Sequence, residues 1–119
     1  MVFTEHLHRI LQTVQGALAV SVIGRDGIAI ERLAVSEEPN LDLATAQFTD
    51  IAKKLQVANA ELEAGELREM IQRTERYLVL LTAITSEYFI MMILTSDGSL
   101  GRARYELRKA SVAFHDELV

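Results

Sequence analysis

Few side chains in this chain have the types and spacing for chemistry. The imidazoles are His6, His8 and His115. His6 and His8 are two residues apart, which on a helix points them to different faces, so they do not chelate a shared ion as an i, i+4 pair would. His115 precedes Asp116 near the C-terminus, where a protonated imidazole complements a helix dipole. There is no cysteine, hence no thiol nucleophile, thiolate zinc site or disulfide. Glu61, Glu63, Glu66 and Glu69 are close in sequence but lack an imidazole or second orienting group, and read as solvating residues. Gly24-Arg25-Asp26-Gly27 spells GxxG, yet it lies between strand-like runs and lacks the helical flanks that let a KH domain grip nucleotides; it reads as a turn. GxxxxGK[ST] does not occur, and Gly98-Ser99-Leu100-Gly101 does not fit the GxSxG elbow. The expectation is a protein that is not an enzyme, with no catalytic residue, metal site or cofactor.

The remaining concentrated chemistry is positive charge. Arg102, Arg104, Arg108 and Lys109 sit together near the C-terminus, with Arg104 and Arg108 one turn apart on a shared face. Local pairing to Glu106 and Asp116 is expected, or contact with an acidic protein partner. Around them the 119 residues carry 12 Lys and Arg against 17 Asp and Glu, a formal charge of -5. A nucleic-acid partner would therefore be bound against the overall field, and none is expected. Uncharged stretches such as Tyr77 to Ser86, ten residues, and Ile10 to Gly24, fifteen residues, fall short of the about 20 a membrane-crossing helix needs, so no membrane insertion is expected. MVFTEHLHRI carries charge where a signal peptide needs an apolar core, which points to the cytoplasm. Half of the residues are apolar and one is proline, the balance of a folded chain of one domain, residues 1–119.

The elements that hold these residues follow from periodicity. Phe3, Leu7, Ile10, Leu11 and Val14 recur at helical spacing, with Thr4 as N-cap and Gly16 as the stop. Ala17 to Ile23 and Ile28 to Leu33 are β-rich runs flanking the Asp26-Gly27 turn, a hairpin signal. After a loop holding Pro39, a long helix is expected from Leu41 to Ala64. Three strands follow: Leu67 to Arg73, Tyr77 to Ile84 and Tyr88 to Thr95. The last two have almost no polar alternation and should be covered on both faces, whereas LREMIQRT, charged on both faces, reads as an edge strand. Leu100, Ala103, Leu107, Ala110, Phe114 and Leu118 mark a closing helix. The expected architecture is an α+β domain, a five-stranded antiparallel sheet with the long central helix on one face and the terminal helices on the other.

The long helix reads as apolar on two sides. Around Phe48 lie Leu41, Ala44, Ile51, Ala52, Leu55, Ala58 and Leu62, a stripe suited to the sheet. Leu43, Ala46, Val57, Ala60 and Ala64 lie opposite, mixed with Asp50, Lys53 and Glu61, the composition of an interface core with a polar rim. Alanine's helix propensity alone accounts for the small residues there, but not for Leu43 or Val57.

The order of elements, the Gly-Arg-Asp-Gly hairpin followed by Ile28-Ala29-Ile30, and the late Leu94-Thr-Ser-Asp-Gly-Ser-Leu-Gly-Arg-Ala-Arg-Tyr-Glu-Leu resemble the Roadblock family over almost the whole chain. In bacteria the likeness is to the type of mutual gliding-motility protein B, partner of a Ras-like GTPase. Other members are dynein light chains and lysosomal scaffold subunits. The resemblance implies a homodimer in which the third strand, Leu67, Arg68, Glu69, Met70, Ile71, Gln72 and Arg73, pairs with its copy while two long helices lie side by side. It further implies that the paired helices form a platform for a small GTPase, with Asp50, Lys53, Lys54, Val57 and Glu61 as contact candidates beside Leu43, Ala46 and Ala60. No arginine lies between Leu41 and Ala64, so no arginine finger is assignable there. The function implied is a non-enzymatic regulator or scaffold for a Ras-like GTPase. A cargo adaptor or structural light chain that binds protein segments is the alternative reading. A small-molecule sensor would need a roomy pocket with converging polar groups, which these apolar strands do not offer.

Overall fold

A computed structural model describes residues 2–118 and shows the elements α1 (Val2–Thr13), β1 (Ala17–Gly24), β2 (Ala29–Ala34), α2 (Leu41–Glu61), β3 (Glu69–Arg73), β4 (Tyr77–Ala83), β5 (Tyr88–Thr95) and α3 (Leu100–Leu118). The strands form one antiparallel sheet in the order β2-β1-β5-β4-β3. The α+β architecture expected from the sequence is the one observed.

β5 lies at the centre of the sheet, with β1 and β4 on either side, and YLVLLTA and YFIMMILT are almost wholly apolar because both of their faces are covered. Alternate residues go to opposite layers. Val20, Val22, Leu78, Leu80, Ile90, Met92 and Leu94 pack with α1 and α3 through Leu7, Ile10, Leu107 and Phe114. Ala19, Ile23, Val79, Leu81, Phe89, Met91 and Ile93 pack under α2 with Leu41 and Ala52. The sheet thus separates two apolar layers, and the long helix stands alone on its face.

Local chemistry sets the boundaries. Asn40 caps α2, its side-chain oxygen accepting from the Leu43 amide at 3.0 Å, as an N-cap should. The helix stops at Glu61, three residues short of the expected end. Leu62 is the C-cap, and Glu63 takes a left-handed backbone (φ 54). The amides of Glu63 and Ala64 then donate to the carbonyls of Ala60 (3.1 Å) and Asn59 (2.8 Å), a Schellman closure with a glutamate where glycine is usual. Thr4 is not an N-cap, because α1 is already helical at Val2. β3 begins at Glu69, so Leu67 and Arg68 lie in its approach, although the Arg68 carbonyl still accepts from the Ala83 amide at 2.9 Å. Ile28 precedes β2, and the register slips between Val22 and Ile23, a bulge that disturbs the other sheet edge.

Gly16 ends the first helix region with φ +86, and a Cβ there would lie 2.7 Å from Gly98 Cα. The turn into β1 and the turn out of β5 therefore pack backbone on backbone, joined by the Ser99 amide donating to the Gln15 carbonyl at 3.0 Å. Among the described residues, no helix is long and apolar enough to cross a membrane.

Candidate partner-binding surfaces

α2 turns only part of its expected apolar stripe to the sheet. The residues buried beneath it are Leu41, Thr45, Thr49 and Ala52. Thr49 can face the core because its hydroxyl donates to the Thr45 carbonyl at 2.6 Å, satisfying the polar group within the helix.

This rotation corrects the expected core stripe. Ile51 is 39% exposed, Leu62 is 75% exposed and Ala58 is exposed as well. One flank of α2 is tied to the β2 side: Asp42 pairs with Arg32, and Thr49 lies against the hairpin turn at Gly27. Ala44, Phe48, Ile51, Leu55, Ala58 and Leu62 project from the other flank, which leans towards β3. Phe48 and Ala44 pack there in the same layer as Leu67 and Met70.

β3 is at the end of the sheet and, among the described residues, pairs only with β4. Met70 belongs to the layer beneath α2. Glu69 turns to the opposite face, where both of its carboxylate oxygens accept from Arg104 on α3, at 2.8 and 3.1 Å. By strand alternation Ile71 and Arg73 share that face with Glu69, and Ile71, Gln72 and Arg73 are exposed. The expected edge strand is therefore an edge strand, adjacent to the uncovered apolar flank of α2.

Leu43, Ala46, Asp50, Lys53, Lys54, Val57, Ala60 and Glu61 are all exposed. Leu43 and Val57 are 58% and 62% exposed. The structure brings these eight together on the side of α2 that turns away from the sheet, separate from the flank over β3.

The cations of α3 pair locally only in part: Arg102 and Lys109 reach Glu106, as their spacing suggests, but Arg104 does not. Arg104 reaches Glu69 rather than Glu106. Glu106 is fully buried and is shared by Arg9 of α1 (3.0 Å), Lys109 (3.4 Å) and Arg102 (3.7 Å). Burial pushes the Glu106 carboxyl up, but the hydrogen bonds and charges of Arg9 and Lys109 outweigh it and hold the group below the ordinary carboxylate range. The Arg9 contact spans two helices far apart in the chain, so no local spacing could have announced it. His6 packs edge-on against Phe114, ring centroids 5.3 Å apart. Among the described residues, no group of three or more His, Asp or Glu is placed to hold a metal ion.

No family model matches the sequence, and no curated protein matches it. Solved structures do. MglC from Myxococcus xanthus is 31% identical, with 98% of this chain and 99% of that one covered and a TM-score of 0.69. A Roadblock/LC7 domain from Streptomyces avermitilis superposes with a TM-score of 0.85 at 12% identity, covering 96% and 95%. Myxococcus xanthus MglB does so with a TM-score of 0.85 at 15% identity, covering 99% and 98%.

Proposed function

The chain belongs to the Roadblock family, and from that premise we propose that it is a homodimeric, non-enzymatic regulator or scaffold for a small Ras-like GTPase. The observation that carries this reading is the coincidence of two unfinished surfaces: the β3 edge and the apolar flank of α2 lie on the same side of the subunit. A single two-fold axis beside β3 covers both. Antiparallel pairing about Ile71 sets each Glu69 opposite Arg73 of the second copy, an opposite-charge pair across the strands. The same operation brings the two Ile51 and Leu62 flanks together.

Dimerisation leaves the eight exposed residues free on the outer side of both long helices. Leu43, Val57, Ala46 and Ala60 supply apolar and small contact, and Asp50, Lys53, Lys54 and Glu61 supply a charged rim. With no arginine between Leu41 and Ala64, any stimulation of hydrolysis from this helix works by positioning the GTPase's own switch residues, not by an arginine finger.

The test is gel filtration of the protein with a GTP-loaded Ras-like GTPase encoded beside its gene. A complex is expected, and Val57→Asp should weaken it by at least about 1–2 kcal/mol while the dimer mass stays the same. If no such GTPase binds and a motor or filament subunit is captured instead, the cargo-adaptor reading replaces this one.

A further inference from the structure

On the face of the sheet opposite the proposed GTPase platform, the cluster around Glu106 leaves two positive charges uncompensated. One buried carboxylate is shared by Arg9, Arg102 and Lys109, and the side chains of all three cations remain about half exposed. Tyr105, 55% exposed, lies between two of them, with the Arg102 guanidinium 5.7 Å and the Lys109 ammonium 5.2 Å from its ring centroid. Val112, 75% exposed, is two turns from Tyr105 along the same side of α3.

These observations combine. Lys and Arg side chains on a free helix surface lose much rotamer entropy when a ligand fixes them. Here Glu106 already holds three of them and the Tyr105 ring flanks two, so the cations are oriented before anything binds. Their field is local, because the chain as a whole is negative. Tyr105 and Val112 add exposed apolar area beside the charge, the mixture found at the centre of protein interfaces.

We propose that the α1–α3 face is a second docking surface, and that its occupant is a carboxylate-rich segment of a protein partner carrying an apolar residue that covers Tyr105 and Val112. The partner's carboxylates supply the charge that Glu106 alone does not. An anionic membrane would also attract the cations, but it presents a broad negative plane. The patch is flanked by Glu5 on α1 and by exposed Asp116 and Glu117 on α3, which such a plane would repel and a short segment avoids.

The experiment is an NMR titration of the full-length protein with a synthetic helical peptide rich in glutamate and bearing one leucine, at low and at moderate salt. The expected shifts are confined to α1 and α3 around Arg9, Arg102, Tyr105, Lys109 and Val112, and affinity falls as salt rises. Lys109→Glu should weaken binding by about tenfold or more. Tyr105→Ser, which touches neither Glu106 nor the core, should weaken it several-fold with thermal unfolding unchanged, so a fold defect in the first variant does not decide the matter. Replacing the peptide's leucine by serine should reproduce the Tyr105→Ser loss. Shifts on α2, undiminished binding by both variants, or binding to phosphatidylserine vesicles but not to the peptide would each overturn the proposal. Because this face is remote from the platform, loss of the peptide and loss of GTPase binding are separate outcomes.

Discussion

Glu63 shows how one residue sets the end of the longest element. Its left-handed backbone lets the Glu63 and Ala64 amides close the last turn of α2, and a side chain in that region carries a steric cost of about 1 kcal/mol that glycine escapes. Glu63→Gly should therefore stabilise the fold by up to about 1 kcal/mol, seen as a higher denaturant midpoint with the same slope. Among the described residues its exposed side chain makes no hydrogen bond or ion pair to lose. A lowered midpoint would mean that the unfolded chain gains more freedom than the native turn sheds in strain. The sequence could not mark this end, since the spelling Glu-Leu-Glu-Ala is good helix throughout. For a similar reason Thr45 and Thr49 escaped notice as core residues. Hydrophobicity counts the hydroxyl as polar, while the helix itself satisfies it at Thr49 by the bond to the Thr45 carbonyl.

At the scale of elements, the strands, their order of appearance and the two-faced sheet were legible because unbroken apolar runs such as YFIMMILT admit one reading, a strand covered on both sides. The edge character of β3 was equally plain from its charges. The rotation of α2 was not legible. Its apolar stripe is helical in period whether it meets the sheet or a second subunit, and only the tertiary packing, with Leu41, Thr45, Thr49 and Ala52 buried, shows which flank faces where. The joint between α1 and α3 was also hidden, because Arg9 and Glu106 meet only in space. That joint has a pH signature. Burial raises the Glu106 carboxyl, Arg9 and Lys109 lower it further than burial raises it, and the net direction is down. A carboxyl lowered in the folded state contributes stability above its unfolded value, about 4.3, and the contribution is lost as pH falls from there through the folded value. Glu106→Gln cannot titrate. It should be less stable than the parent at neutral pH, and its melting temperature should fall less steeply from about pH 5 to about pH 3. Parallel curves would show that Glu106 ionises alike in folded and unfolded chains.

For the whole molecule, the proposed dimer makes opposite claims about two sides of one helix. Ile51 stands on the flank over β3, 39% exposed in the lone subunit, and Val57 stands on the outer side. A charge placed at Ile51 would be buried without a partner when two flanks meet, at about 1–3 kcal/mol for each copy. The two-fold axis counts that cost twice, so Ile51→Glu should loosen dimerisation by at least about thirtyfold. The variant should still fold, since in the single subunit the new carboxylate reaches water and the layer beneath α2 rests on Leu41, Thr45, Thr49 and Ala52. Sedimentation equilibrium reads the difference directly: a monomer for Ile51→Glu, with far-ultraviolet circular dichroism like the parent's, and an unshifted dimer for Val57→Asp. The reverse assignment would place the axis on the outer side of α2 and remove the platform. A monomer for all three proteins would leave the β3 edge and its neighbouring flank to a different chain.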